Sequence, residues 1–160
     1  MVVLPALIHN KMKDKTNYHS RMPITDCNLA EAYVHKDLCG IDHEEAWVAF
    51  LTLANTVICK EMVAKGTLNA ASIDCRTVLR RALLNNAGNI ILAHNHPSGN
   101  PRPSTKDIEF TNRLRDACKL MGIELLDHII IADGSFYSFA EDRIINLEQS
   151  ELLSSDRQTI

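Results

Sequence analysis

Two histidines one residue apart, His94 and His96, stand where the apolar run Asn89-Ile-Ile-Leu-Ala93 gives way to the segment Pro97-Ser-Gly-Asn-Pro-Arg-Pro103. Imidazoles at i and i+2 on extended backbone project to the same side. The point where a buried strand opens into a loop is a common place for functional groups. Ser104 opens the next helix, Asp107 lies in its first turn, and the proline-rich loop folds that turn back toward the strand end. Two imidazoles and one carboxylate converging in this way form a three-ligand site. A catalytic zinc typically takes three protein ligands and keeps its fourth position for water. An HxH pair alone is a weak signal, and Ser104-Thr-Lys-Asp107 also reads as a helix cap with its acid at N3. The two readings are compatible. The Ser104 hydroxyl can accept from the backbone N–H of Asp107 while donating its own proton elsewhere, so capping holds the carboxylate in place.

The elements that must position these groups alternate between helix and strand. Thr25 or Asp26 caps a helix to Leu38, with Gly40 at its C′ position. Residues 45–54 and 56–64 read as two strands joined by a turn at Asn55, and Gly66 ends that hairpin. Ser72 or Asp74 starts a helix through Val78, Leu79, Ala82 and Leu83, which Gly88 closes. Residues 89–94 form a short buried strand. The helix opened by Ser104 carries Ile108, Leu114, Ala117, Leu120 and Met121 on its apolar side and stops at Gly122. Residues 123–131 form another strand, Asp133-Gly134 a hairpin turn, and 135–139 the return strand. The pattern implies an α/β domain, a sheet covered by helices, over residues 26–147. Residues 1–25 read as a poorly ordered leader with a local excess of three positive charges, and residues 148–160 as a fraying polar tail.

Composition removes several function classes. The 160 residues are 46% hydrophobic with a net charge of −3, which suits one domain and argues against a general nucleic-acid binder. Duplex binding should be weak and erased by moderate salt. The five cysteines are odd in number and form no CxxC pair, so neither a disulfide framework nor a cysteine zinc site is expected. The run Val2 to Ile8 is broken by Pro5 and too short to span a bilayer, and the chain reads as a cytoplasmic protein. There is no Walker A or GxGxxG sequence. A zinc deaminase would need a glutamate shortly after its histidine and a PCxxC pair, and neither is present. The consecutive letters His-Asn-His are no HNH nuclease, whose residues spread over tens of positions. Arg76, Arg80 and Arg81 read as a solvated basic helix face, and His9, His19, His35 and His43 as incidental.

The run His94-x-His96-Pro-x-Gly followed by Ser104-x-x-Asp107 resembles the JAMM motif of JAB/MPN metalloproteases. The wider text is similar to the bacterial RadC-like branch: Gly66-Thr-Leu68, Arg76, Ile91-Leu-Ala-His-Asn-His-Pro-Ser-Gly99, Asp127-His128 and Tyr137-Ser-Phe139. The similarity covers roughly residues 26–145. It implies a three-layer α/β/α sandwich around a mixed sheet, the cytidine deaminase-like architecture, with one zinc ion held by His94, His96 and Asp107. It also implies an upstream glutamate as general base. Counting back from Phe50-Leu51 places that acid at Glu44, with Glu45 as the alternative; adjacent strand residues face opposite ways, so one of the two can face the metal. Ser104 would donate to the oxyanion. The implied activity is hydrolysis of a peptide or isopeptide amide in a peptide or protein substrate. Homo-oligomers and a weak nucleic-acid contact stay open, and a membrane partner is not expected. Rival readings are a non-catalytic scaffold and the DNA-repair label that RadC-like proteins carry. The aromatic usual after the acid is Ala46 here, and the proline before the helix arginine is Cys75. The helix-hairpin-helix region of long RadC-like proteins has no counterpart in this sequence. His128 is expected to serve in structural hydrogen bonding.

Overall fold

The computed structural model describes residues 23–66 and 73–147. The leader up to residue 22, the Thr67-Leu68 part of the motif text and the tail after residue 147 lie outside the described residues. Residues 23–25, read from the sequence as leader, belong to the fold: Pro23 bridges Thr56, the Ile24 N–H donates to the Asn55 carbonyl at 3.0 Å, and Ile24 is buried.

Among the described residues nine elements follow in the order α1 (Cys27–Leu38), β1 (Glu45–Leu51), β2 (Val57–Lys65), α2 (Cys75–Leu84), β3 (Asn89–Asn95), α3 (Thr105–Leu120), β4 (Glu124–Ala132), β5 (Ser135–Ser138) and β6 (Arg143–Asn146). The six strands form one sheet in the order β2-β1-β3-β4-β5-β6. β3 and β4 run parallel and every other pair antiparallel, so the sheet is mixed. The parallel pair is joined through α3, the crossover such pairs require.

Strand alternation divides the core in two. Ala46, Val48, Phe50, Ile90 and Leu92 pack with Val78 and Ala82 of α2 and with Phe110, Leu114 and Cys118 of α3. Ala49, Leu51, Ile91, Ala93, Ile129 and Ile131 pack with Ala30, Val34 and Leu38 of α1. Helices on both faces of a central sheet make the α/β/α sandwich. β3 is buried along its whole length because it is central and covered on both sides.

The fold departs from the sequence expectation at several further places. Residues 52–54 are not strand: Thr52 to Thr56 form the connecting turn, with Asn55 at φ 61°. The buried face of α3 is Phe110, Thr111, Leu114 and Cys118, whereas Ile108, Leu120 and Met121 are exposed. The helix is steered by its polar business end, because Asp107 and Thr111 must face the sheet, and the apolar stripe follows that rotation. β6 was not anticipated; its four residues are mostly exposed and carry little apolar pattern.

Gly88 does not close α2. The helix ends at Leu84, and Asn86 supplies the left-handed residue at φ 52°. Gly88 is instead a close approach: a Cβ there would sit 2.6 Å from Leu53 Cδ2 and 3.2 Å from the Leu53 backbone nitrogen. Gly88→Ala should therefore cost about 1–3 kcal/mol by overpacking. Leu53→Ala in the same chain should return most of it in denaturant melts, since the clash is chiefly with a flexible side chain. Equal loss in the single and double variants would count against this reading.

Candidate metal centre

β3 delivers the histidines. His94 pairs with Ala46 of β1 and Ile130 of β4, and the His96 N–H donates to the Ile131 carbonyl at 2.8 Å, carrying the ladder one residue past the strand. Both imidazoles therefore leave the sheet on the face covered by α2 and α3. Asn95 between them points to the other face and staples the strand end: its Oδ1 accepts the Glu45 N–H at 2.8 Å and its Nδ2 donates to the His43 carbonyl at 2.8 Å.

The loop then returns to α3. Gly99, at φ 78°, donates its N–H to the His96 carbonyl, and the Asn100 carbonyl accepts from His96 Nδ1 at 2.8 Å. Ser104 caps α3 with a capping box: its Oγ accepts the Asp107 N–H at 3.2 Å while Asp107 Oδ2 accepts the Ser104 N–H at 2.7 Å. The Ser104 hydroxyl proton is directed at the same Oδ2, at 2.6 Å. Asp107 is thus clamped through one oxygen, and Oδ1 faces His94 Nε2 at 3.4 Å.

His94, His96 and Asp107 each offer one ligand atom, all within 4.8 Å of one another. His94 Nε2 lies 3.0 Å from His96 Nε2, and His96 Nε2 lies 3.7 Å from Asp107 Oδ2. Tetrahedral ligands about 2.0–2.2 Å from an ion are about 3.3–3.6 Å apart, so these separations bracket the spacing of a coordination sphere and the group could hold an ion. Its donor types, two imidazole nitrogens and a carboxylate oxygen, suit zinc better than the all-oxygen sites of calcium or magnesium. The residues fit the metal.

The acids on the neighbouring strand separate cleanly. Glu45 begins β1 with its side chain buried on the α1 face, receiving Trp47 Nε1 at 3.1 Å, His43 Nε2 at 2.9 Å and Lys65 Nζ at 3.2 Å. Burial works to raise its pKa, but these three donors prevail and hold it below the ordinary carboxylate range. Glu44 continues the ladder, its carbonyl accepting the Gly66 N–H at 2.8 Å. Ala46 pairs with His94, and alternation places position 44 on that same face, two residues nearer the open end of the site.

Behind the three candidate ligands lie residues that sequence reasoning missed or left without a partner. His128, in β4, stacks on Phe139 with ring centroids 4.8 Å apart. Its Nε2 is 2.7 Å from His94 Nδ1, and its Nδ1 is 2.6 Å from Thr111 Oγ1. Thr111 donates in turn to the Asp107 carbonyl at 2.6 Å. Thr111 left one signal in the sequence: a hydroxyl four residues after Asp107 on the buried stripe of its helix. Asp127 faces away from the site and accepts from Ser138 Oγ at 2.6 Å and from the His128 and Ala140 N–H groups, tying the Asp127-His128 and Tyr137-Ser-Phe139 motifs into one corner.

Burial lowers the pKa of His94 to about 4, with Asp107 opposing and His96 adding to the shift, and burial pushes His128 well below 6.5. Burial thus favours the neutral form of both rings, the form a metal-binding imidazole needs at His94. The consequence has a sign. Below pH 6.5 the unfolded chain takes up protons that these buried rings refuse, so stability of the metal-free protein falls as pH drops from 6.5 toward 4. Thermal melts of chelator-treated protein should show that decline, and a melting temperature flat from pH 7 to 4.5 would contradict it.

Comparisons with known proteins assign the family. Residues 24–144 match the RadC-like JAB domain family. A UPF0758 protein of Porphyromonas gingivalis is 39% identical over 126 residues, 78% of this chain and 56% of its own length. A UPF0758 protein of Geobacillus sp. is 36% identical over 139 residues, 87% of this chain and 62% of its own, and one of Photorhabdus laumondii is 42% identical over 114 residues, 71% and 50%. The chain thus spans little more than half the length of these relatives. Among the described residues no helix is long and apolar enough to cross a membrane. With the mixed sheet, the HxH strand end and the SxxD helix start all in place, this chain belongs to the RadC-like JAB domain family.

Proposed function

We propose that this chain is a zinc-dependent hydrolase of the JAMM type that cleaves a peptide or isopeptide amide bond. The observation that carries the reading is the convergence of His94 Nε2, His96 Nε2 and the Asp107 carboxylate, each held from behind by a separate hydrogen bond. A zinc ion held by these three residues supplies Lewis acidity and lowers the pKa of water toward about 7.

The chain's own residues supply the rest. Glu44, on the face of His94, accepts the proton of the attacking water and returns it to the leaving amine. Glu45 cannot share that work, because three donors hold it on the opposite face. Ser104 serves as oxyanion donor by turning its hydroxyl from Asp107 Oδ2 toward the substrate. The backbone N–H of Ser104 keeps its bond to Oδ2 throughout, so the ligand is not released. A contact of this kind is typically worth about 2.7–4 kcal/mol in the transition state.

The test is a panel of peptides and lysine-linked isopeptides incubated with protein, with products read by mass spectrometry. Cleavage should vanish with a chelator, return with zinc, and be absent in His96→Ala. Cleavage that survives both treatments would defeat the proposal.

A further inference from the structure

We infer that His128 and Thr111 are positioning residues that fix the tautomer of His94, leaving its Nε2 bare toward the metal. The inference rests on the proposed metal centre but is argued from proton supply alone. Two electronegative atoms approach to 2.6–2.7 Å only when one brings a hydrogen to the other. The chain of close contacts runs from the Asp107 carbonyl to Thr111 Oγ1, then to His128 Nδ1, and from His128 Nε2 to His94 Nδ1, at 2.6, 2.6 and 2.7 Å.

A carbonyl has no proton to give, so the Thr111 hydroxyl must donate to Asp107. Its oxygen is then an acceptor toward the ring, and His128 Nδ1 must carry the hydrogen. A neutral imidazole carries one N–H, so His128 Nε2 is a lone pair, and His94 Nδ1 must be the donor to it. His94 Nε2 is left bare. The two rings are 1% and 2% exposed, so bulk solvent offers neither an alternative partner.

His96 reaches the same state independently, since its Nδ1 donates to the Asn100 carbonyl at 2.8 Å. The 3.0 Å approach of the two Nε2 atoms is then the one close contact of this network to which neither partner brings a hydrogen. A shared cation satisfies it. The circuit also has a mechanical return: it starts at the backbone of the ligand Asp107 and ends on the ligand His94, so helix α3 and strand β3 are held in mutual register by it.

The experiment uses the full chain in two forms. In metal-free protein with 15N-labelled histidine, long-range 1H–15N spectra assign the protonated nitrogen of each ring; His94 and His128 should both be Nδ1–H. In a chelator competition, zinc affinity should fall about 10–100-fold in His128→Met, the usual cost of losing an outer-shell partner. His128→Gln, whose amide oxygen can occupy the Nε2 position, should restore most of it. Thr111→Val should weaken zinc binding and Thr111→Ser should not, which carries the test if His128→Met fails to fold. An Nε2–H tautomer at His94 in the wild type, or unchanged affinity in folded His128→Met and Thr111→Val, would overturn the inference. An Nδ1–H tautomer in a protein that binds no zinc would instead leave the relay standing and overturn the metal centre.

Discussion

Glu44→Gln should lower amide hydrolysis by about 10²–10⁴-fold, the usual worth of a general base, with zinc content and melting temperature unchanged. The amide keeps the size of the carboxylate and much of its hydrogen bonding, but cannot take a proton from water. Glu45→Gln should behave in the opposite way. Its carboxylate holds His43, Trp47 and Lys65 together on the α1 face, so neutralising it should cost about 1–3 kcal/mol of stability and leave turnover nearly intact. Parallel kinetics and melts on the two variants read the contrast directly. If Glu45→Gln abolishes activity while Glu44→Gln does not, the base is on the other face and the strand register argument fails. If neither matters while His96→Ala does, no carboxylate base operates.

Asp107→Asn should empty the metal site while leaving α3 capped. The two jobs of this residue divide between its oxygens: Oδ2 takes the Ser104 N–H and hydroxyl and stands 3.7 Å from His96 Nε2, and Oδ1 faces His94. An asparagine oxygen can still accept at the cap but brings no charge to the ion. Zinc content should therefore fall toward zero with a melting temperature in the metal-free state close to wild type. Asp107→Ala should lose both, with a further cost of about 0.5–2 kcal/mol for the missing cap partner. Zinc retained at wild-type level in Asp107→Asn would show that the aspartate is a structural cap and nothing more.

The site was legible in the sequence because its chemistry is local. His94 and His96 share a strand end, Ser104 and Asp107 share a helix start, and both spacings translate directly into side-chain direction. The choice between Glu44 and Glu45 was harder, because it depends on which face of β1 meets His94. The pairing of Ala46 with His94 across the sheet, which no spacing along the chain reveals, is what favours Glu44. Thr111 and His128 meet from α3 and β4, and no spacing along the chain announces a contact between residues seventeen apart.

The fold divided the same way. Asp26, Asp74 and Ser104 cap their helices through side-chain bonds to nearby N–H groups, so those starts follow from the residues themselves. The buried face of α3 departed from its apolar pattern because Asp107 and Thr111 turn it. Gly88 reads as a helix stop in the sequence because a glycine needed for close approach and one needed for φ look alike there.

Elemental analysis of the full chain, expressed with zinc and purified without chelator, decides whether His94, His96 and Asp107 form a metal centre. One zinc per chain is expected in the wild type and none in His94→Ala, with both proteins folded by circular dichroism. No zinc in the wild type, or the same zinc in His94→Ala, would contradict it.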